Sequence, residues 1–282
     1  MISIITPTYN RAILVQTTIR SILDQQYHDW EMIIVDDGST DDTELALQPF
    51  LEDQRIHYIK KANTGQADSL NVGARSATGE FITFLDSDDE AYPDWLATVA
   101  NNIQADTGML CAGAIRRFAD GTCVKEGMKN YRVFGHVVPL KFTCGSLFLR
   151  REVFLAVGGY DASLQANIQT DLGYRVLSYF RNEYYKIVII DAFLVQINIH
   201  EGERIRTNWK RIREGGIQFI NKHYAFIYEN DKKEISNIYA AVAFSCYKLQ
   251  RKPESVSYLL KAIRHNPLRF VNYVRVIKYA LL

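Results

Sequence analysis

Cysteine is scarce in this chain, and its spacing excludes two classes of protein. The four cysteines lie far apart and form no CxxC pair (Cys111, Cys123, Cys144 and Cys246). Zinc modules bring cysteines in close pairs, and small secreted domains carry dense, regularly spaced cysteines. We therefore expect reduced thiols and a cytoplasmic protein.

The chain also lacks a long apolar run and a strong charge of either sign. No segment approaches the roughly 20 apolar residues that a membrane span requires. The first residues, MISIITPTYNR, have no basic region before the apolar stretch, so they do not predict a signal peptide. A formal net charge of +1 gives no general reason to expect a nucleic-acid partner.

Positive charge is nevertheless concentrated near the end of the sequence. The segment 248–282 carries eight Lys or Arg residues and one acid, Glu254, which leaves residues 1–247 mildly acidic. Apolar residues alternate with these cations. Such a basic amphipathic segment either covers the core of the body with its charges in solvent or lies on an anionic membrane surface. The sequence leaves both interpretations open.

Short apolar runs alternate with helical patterns in the first hundred residues. Strands are predicted at 2–6, 31–36, 55–60 and 80–86, and helices at 11–25, 42–51 and 65–77. Strands that are apolar almost throughout are typical of a parallel sheet covered by helices on both faces. The pattern predicts an α/β fold, a Rossmann-like and mostly parallel sheet, with its ligand at the carboxyl ends of the strands.

The second half of the chain is less regular. Strands are predicted at 109–118, 142–151 and 185–191, a short helix after Arg151 that ends at Gly158-Gly159, and an amphipathic helix at 171–180. After Trp209 the pattern is helical to the end, with helices near 236–249 and 253–264. We predict one domain over 1–208, with halves 1–106 and 107–208, and a C-terminal helical region over 209–282.

Three carboxylates are crowded at the end of the strand predicted at 80–86. Asp86, Asp88 and Asp89 occupy three of four consecutive positions, where like charges repel each other. One aspartate suffices to cap a helix or a turn, and that is our interpretation of Asp41 and Asp42. Two carboxylates one residue apart favour a hard divalent cation, Mg²⁺ or Mn²⁺, which takes its other ligands from substrate phosphates.

Six motifs in this order and spacing resemble those of the family-two nucleotide-sugar glycosyltransferases, which have the GT-A fold. They are PTYNR, VDDGSTDDT, NTGQADSLNVGARSATGE, FLDSDDE, LFLRREVFLAVGGYD and TDLGYR. The resemblance covers residues 1 to about 205. It implies an inverting transferase that moves a sugar from a nucleotide diphosphate, most simply a UDP-sugar, to a glycan or lipid-linked acceptor, as in bacterial polysaccharide assembly.

The resemblance also implies roles for individual residues. Asp37 would accept the imide N–H of a uracil or thymine base, Asp86 would face the ribose and Asp88 would hold the metal. Arg204 and Arg206 could reach phosphates. The remaining positions line the donor site or complete the metal site (Pro7 and Tyr9 beside the base; Asn63, Gly65 and Asn71 in the donor pocket; His200 at the metal or the diphosphate).

The catalytic base departs from the pattern of the family. Relatives commonly have a Glu-Asp pair, one further residue and a second acid, and the first Asp is the base. Here that pair is Ile168-Gln169, and the next acid is Asp171. Glutamine cannot accept a proton at neutral pH. Asp171 is therefore our candidate base, with the alternative that it is an acid in the first turn of its helix.

Gln169 also motivates a different class of function, a catalytically silent nucleotide-sugar binder that acts as a scaffold for a partner transferase. Two further enzyme classes fit less well. A nucleotidyltransferase would need a glycine-rich loop after the first strand, and a dinucleotide-binding oxidoreductase would need GxGxxG there. The loop in this chain reads TPTYNRA, without glycine.

Overall fold

The computed structural model of the chain describes residues 1–199 and 208–281. Its strands are β1 (Ile2–Thr8), β2 (Trp30–Asp36), β3 (Ile56–Lys60), β4 (Phe81–Phe84), β5 (Glu90–Ala91), β6 (Thr107–Phe118), β7 (Cys123–Glu126), β8 (Lys129–Val133), β9 (His136–Leu140), β10 (Leu147–Arg150) and β11 (Lys186–Ile199). Its helices are α1 (Leu14–Leu23), α2 (Thr43–Leu47), α3 (Gln66–Ser76), α4 (Trp95–Ala100), α5 (Arg151–Ala156), α6 (Ile168–Phe180), α7 (Trp209–Asn230), α8 (Lys232–Lys248), α9 (Lys252–His265) and α10 (Phe270–Leu281). A 3₁₀ turn (Gln48–Phe50) follows α2.

The described residues form two compact units. Unit 1 contains Met1–Asn130, Pro139–Ala162 and the described residues from Arg175 to Ile199. Unit 2 contains Tyr131–Val138, Ser163–Tyr174 and the described residues from Asn208 onwards. The boundary predicted after residue 208 lies at the start of α7, but unit 2 also takes in two earlier segments. The division into domains at that residue stays a prediction.

Unit 1 is built on a nine-stranded mixed sheet with the order β3-β2-β1-β4-β10-β6-β11-β5, and β7 pairs with β6. Strand β1 lies between β2 and β4 and runs parallel to both. The carboxyl ends of these three strands are therefore neighbours, as the sequence pattern predicts. The sheet departs from a purely parallel arrangement at β10, which is antiparallel to both β4 and β6.

The first two strands form the centre of the core, and most of their side chains are apolar. Every residue of β1 and of β2 is buried. Helix α1 packs on the core through the stripe Val15, Ile19 and Ile22, and α3 approaches more closely because it carries Gly73. A Cβ atom at Gly73 would lie 2.4 Å from Cγ2 of Ile5. Burial of apolar side chains stabilises a fold by about 25 cal/mol for each Å² of apolar surface removed from water.

Several predicted boundaries are wrong. The strand predicted at 80–86 ends at Phe84, and the one predicted at 142–151 begins only at Leu147. The strand predicted at 185–191 continues to Ile199, since a bulged parallel pairing with β6 extends it. The β8-β9 hairpin, the two-residue strand β5 and helix α4 were not predicted; their runs are too short or too polar to give a clear period.

The helical part of unit 2 agrees with the predicted pattern. Helices α8 and α9 overlap the helices predicted near 236–249 and 253–264, and α10 continues to Leu281. Ala243, Leu259 and Tyr279 form a small buried cluster that joins these three helices. Across residues 1–199 and 208–281, no helix combines the length and the apolar character that a membrane span needs.

Candidate active site

The crowded carboxylates lie in a tight turn just beyond the carboxyl end of β4. Leu85 still pairs with Ile5 through its N–H, and the N–H of Asp89 then donates to the carbonyl oxygen of Asp86 at 3.0 Å. One carboxylate oxygen from each of Asp86, Asp88 and Asp89 lies within 4.8 Å of the others. The turn therefore gathers three negative groups at one point of the sheet edge.

Asp89 connects the acidic turn to two neighbouring elements of the fold. It is buried, and its Oδ1 accepts a hydrogen bond from the N–H of Asn198 at 2.9 Å. Its carbonyl oxygen accepts from the hydroxyl of Thr18 at 2.8 Å. Asp89 thus ties the acidic turn to β11 and α1, whereas Asp86 and Asp88, taken as whole residues, are partly exposed.

The repulsion between these groups is visible at Asp86. Burial of its carboxyl group, and then the negative charge of Asp88, raise the pKa of Asp86 to about 6. The side-chain amide of Gln66 donates to Asp86 at 2.9 Å, which limits the rise. A carboxyl group with a raised pKa at the edge of a sheet is a common sign of a functional site.

Arg11 supplies positive charge that the sequence analysis did not identify. Its Nη1 lies 2.8 Å from Oδ2 of Asp88. The residue is part of the PTYNR motif, but no spacing in the sequence connects position 11 with position 88. Only the parallel pairing of β1 with β4 brings their following loops together.

The donor set of the acidic turn fits a hard divalent cation. Carboxylate oxygens are the preferred protein ligands of Mg²⁺ and Mn²⁺, and such a charge would relieve the repulsion between Asp86 and Asp88. Asp88 is the residue that would hold the ion, with Asp86 beside it. A cation bound there would supply positive charge that can neutralise an anionic group.

Asp37 organises the loop that begins α3. Its Oδ2 accepts from the N–H of Gly65 at 2.8 Å, and its Oδ1 accepts from the N–H of Thr64 at 2.9 Å and lies 2.5 Å from Nζ of Lys61. Gly65 adopts φ +98°, a conformation that side-chain-bearing residues rarely take. Asp37 and Gly65 are therefore brought together, and Asp36 instead closes its own turn through the N–H of Ser39.

The other predicted donor-site residues have different surroundings. Pro7 is buried within β1, Tyr9 is exposed and Asn63 is exposed. The loop that follows β1 is fixed to the next loop by Asn10, whose Oδ1 accepts from the N–H of Thr40 at 2.8 Å.

Asn71 makes contacts that indicate a structural role. Its Oδ1 accepts from the N–H of Tyr160 at 2.7 Å, and its Nδ2 donates to the carbonyl oxygen of the same residue at 2.8 Å. Both groups of the amide therefore hold the turn that follows Gly158 and Gly159, which have φ +82° and +68°. These contacts explain the need for an asparagine here without any ligand.

The candidate base residues lie in unit 2, on the first turn of α6. Gln169 is half-buried, whereas the carboxylate of Asp171 is fully buried. Its Oδ1 lies 2.7 Å from Nζ of Lys222 and 2.8 Å from Nε2 of His223. Two cationic or hydrogen-bonding partners favour the structural alternative for Asp171. His200, Arg204 and Arg206 lie outside the described residues.

Comparison with known proteins places this arrangement in a family. The model of the family described as glycosyl transferase family 2 matches residues 3–155, which is more than half of the chain. The chain belongs to glycosyl transferase family 2. The match includes the acidic turn and the Asp37 loop, and it ends before Gln169.

Two curated members of the family illustrate the range of relatives. The chain is 44% identical over 98 residues to the "putative teichuronic acid biosynthesis glycosyltransferase TuaG" of Bacillus subtilis, over 34% of this chain and 39% of that protein. It is 42% identical over 101 residues to the "GalNAc(5)-diNAcBac-PP-undecaprenol beta-1,3-glucosyltransferase" of Campylobacter jejuni, over 35% of this chain and 33% of that one. The chain thus matches about two fifths or less of these relatives.

Comparison with solved structures shows the GT-A-like fold that the motifs imply. Residues 1–349 of S. aureus TarS, solved with UDP-GlcNAc, superpose with a TM-score of 0.65 at 17% identity, over 99% of this chain and 89% of that one. The mannosyltransferase PcManGT of Pyrobaculum calidifontis, solved with GDP-Man and Mn²⁺, gives 0.61 at 16% identity, over 99% and 81%. The helical C-terminal region is part of the superposed length.

Proposed function

We propose that this chain is an inverting glycosyltransferase that moves a sugar from a UDP-sugar to a glycan or lipid-linked acceptor. The observation that carries the proposal is the acidic turn of Asp86, Asp88 and Asp89 at the carboxyl edge of the sheet. In a member of glycosyl transferase family 2, a cation bound there would meet the diphosphate of the donor. The relatives compared above are named as glycosyltransferases, which gives the silent-scaffold alternative no support.

The donor half of the proposal assigns Asp86 to the ribose and Asp88 to Mn²⁺ or Mg²⁺. Asp37 would accept the imide N–H of uracil, because a carboxylate has up to four acceptor positions and only three are occupied by the contacts described above. The other residues of the proposed donor site are those implied by the family pattern (Pro7, Tyr9, Asn63, Gly65, Asn71 and, at the metal, His200). Of these, Asn71 would contribute indirectly by holding the turn at Tyr160.

Proton transfer is the step for which this chain is least typical. Attack by an acceptor hydroxyl needs a group that takes its proton, and Gln169 has no basic atom at neutral pH. Asp171 is the candidate that remains in this segment. Its full burial and its contacts with Lys222 and His223 weaken that candidacy, because these partners already occupy the carboxylate.

A donor screen tests the proposed activity directly. The purified chain is incubated with Mn²⁺ and a panel of UDP-sugars, and the release of UDP is followed by mass spectrometry. We expect release from at least one donor. Binding of UDP without release from any donor would contradict the proposal and favour the silent binder.

The same screen on the variant Gln169→Asp tests whether residue 169 occupies the position of the catalytic base. If the glutamine occupies the position of the base, the new carboxylate will raise turnover about a hundredfold or more, the lower end of the range for general-base catalysis. Gln169→Asn is the matched control, since it adds no ionisable group. An unchanged rate in Gln169→Asp would assign proton transfer to another residue.

An acceptor carried on a lipid would require contact with a membrane surface, and α10 offers a suitable face. Asn272, Val276 and Tyr279 point into unit 2, whereas Phe270, Val274 and Ile277 on the opposite side are 75%, 64% and 62% exposed. From Ser255 to Leu281 the sequence contains five Lys or Arg and no acid. We therefore include peripheral association with an anionic membrane face in the proposed function.

A further inference from the structure

Unit 2 contains a cavity that the proposed transfer reaction does not use. It has a volume of about 530 Å³ and lies among α7, α8 and α9. Its lining consists of tyrosines and basic residues (Tyr224, Tyr228, Lys232, Tyr239, Lys261, Arg264 and His265). No acidic side chain is among these seven lining residues, so every charged group in the lining is basic.

The aromatic side of the cavity is ordered by contacts among its own residues. The rings of Tyr224 and Tyr228 stack with centroids 5.8 Å apart and planes inclined by 18°. The Tyr224 hydroxyl lies 3.0 Å from Nε2 of His265, whose Nδ1 lies 2.8 Å from the carbonyl oxygen of Lys261. Because a carbonyl can only accept, Nδ1 of His265 carries a hydrogen and donates it to Lys261.

The basic side is held over these rings. Nζ of Lys232 lies 4.2 Å from the ring centroid of Tyr228, and Nζ of Lys261 lies 5.8 Å from that of Tyr239. Cation–π contacts of this kind keep an ammonium group beside an aromatic face. The charges therefore stand next to the stacking surfaces, and a ligand that covers a ring also meets a cation.

We propose that this cavity binds a negatively charged saccharide unit of the glycan acceptor. This inference rests on the proposed glycosyltransferase function. A sugar ring presents an apolar C–H face, which suits a tyrosine ring, and hydroxyl edges, which suit phenol groups. A carboxylate or phosphate on the sugar would pair with Lys261, Arg264 or Lys232.

The lining distinguishes this ligand from a lipid. The cavity has no aliphatic side chain among its lining residues, and an acyl chain would gain little from tyrosine hydroxyls and ammonium groups. The exposed apolar residues of α10, which we propose as the membrane contact, do not line this cavity. Cavities of about 300–1,000 Å³ accommodate ligands of small-molecule size, which includes one or two sugar rings.

The test is calorimetric titration of the full chain with hexagalacturonate, an anionic oligosaccharide, and with maltohexaose, its neutral counterpart. We expect hexagalacturonate to bind at least tenfold more tightly. Tyr228→Ala and Lys261→Ala should each weaken that binding about fivefold or more. The controls Tyr273→Ala and Lys210→Ala, exposed residues of unit 2 outside the cavity, should leave it unchanged.

Three outcomes would overturn the inference: equal affinity for both oligosaccharides, no effect of the cavity variants, or a preference of the cavity for oligothymidylate or for anionic vesicles over hexagalacturonate. Thermal unfolding of each variant shows whether it is folded. Binding of UDP with Mn²⁺ is measured in the same samples. If UDP binding and donor cleavage persist while hexagalacturonate fails to bind, only the cavity inference is wrong.

Discussion

At the scale of single residues, the carboxyl group of Asp86 connects the charge of the site with the stability of the protein. Its ordinary pKa is 3.8, and burial beside Asp88 raises that pKa to about 6 in the folded chain. Between these two values the unfolded chain releases the proton while the folded chain retains it. The stability associated with protonated Asp86 is therefore present below about pH 4 and is lost as the pH rises through 6.

Replacement of Asp86 with Asn should accordingly stabilise the metal-free protein at pH 8. Asparagine keeps an acceptor for Gln66 and removes the buried charge. We expect the unfolding temperature to rise on the order of 2–4 °C at pH 8 and to change little at pH 4. Scanning calorimetry at both pH values, with the exposed Asp42→Asn as control, measures the effect. An equal shift at both pH values would contradict the electrostatic explanation.

Asp171 offers a second test at this scale. A structural role predicts that its replacement lowers stability, whereas a catalytic role predicts that its replacement lowers turnover. Asp171→Asn would leave the buried His223 and the adjacent Lys222 without their carboxylate. Removal of a hydrogen-bonding partner from a buried polar group costs about 1–3 kcal/mol. We expect a lower midpoint in urea unfolding, with a smaller change for Lys222→Met. Full stability together with lost turnover would instead identify Asp171 as the base.

At the scale of elements, periodicity predicted the first three helices and the four strands β1 to β4, because each strand is short and mostly apolar. It did not predict that β4 ends at Phe84, which frees Asp86 to enter a turn. Nor did it predict the antiparallel insertion of β10 between β4 and β6. The direction of β10 depends on the path of the chain that precedes it. The four residues of the strand itself do not indicate that path.

The approach of α3 to the sheet depends on one glycine. In Gly73→Ala, the new methyl group would meet the side chains of Ile5 and Val35. Overpacking of this kind costs about 1–3 kcal/mol, and displacement of α3 would also move Gln66 from Asp86. We expect lower stability in urea and weaker UDP binding.

The matched control for that helix is Gly127→Ala, which has open space around the new atom and no positive φ. It should retain both stability and UDP affinity. If Gly73→Ala behaves like this control, the packing of α3 does not determine the geometry of the site.

At the scale of the whole molecule, the order of six motifs predicted the family and the GT-A-like fold, and comparison confirmed both. The cavity of unit 2 was not predictable. Tyr224, Tyr239 and Arg264 are separated along the chain, and each alone is typical of an exposed helix surface. The ion pair of Arg11 with Asp88 could not be predicted for the same reason, since only the assembled sheet brings together the loops that follow β1 and β4.

The C-terminal charge asymmetry yields a prediction about membranes. Replacement of Phe270, Val274 and Ile277 with Ser should reduce co-sedimentation with vesicles of phosphatidylglycerol and phosphatidylcholine about tenfold, because the outward face of α10 loses its apolar area. The control triple variant changes exposed apolar residues on other segments (Ile13, Leu45 and Val137 to Ser). Unchanged co-sedimentation of the α10 variant would mean that another surface, or none, meets the membrane.

The most direct test of the central claim is calorimetric titration of UDP with and without Mn²⁺, using the unmodified chain, Asp88→Asn and the control Asp42→Asn. We predict that Mn²⁺ strengthens UDP binding about tenfold or more in the unmodified chain and in the control. In Asp88→Asn that gain should disappear. Equal UDP affinity with and without the metal, or an undiminished gain in Asp88→Asn, would contradict the assignment of the acidic turn as the site of a cation-bound diphosphate.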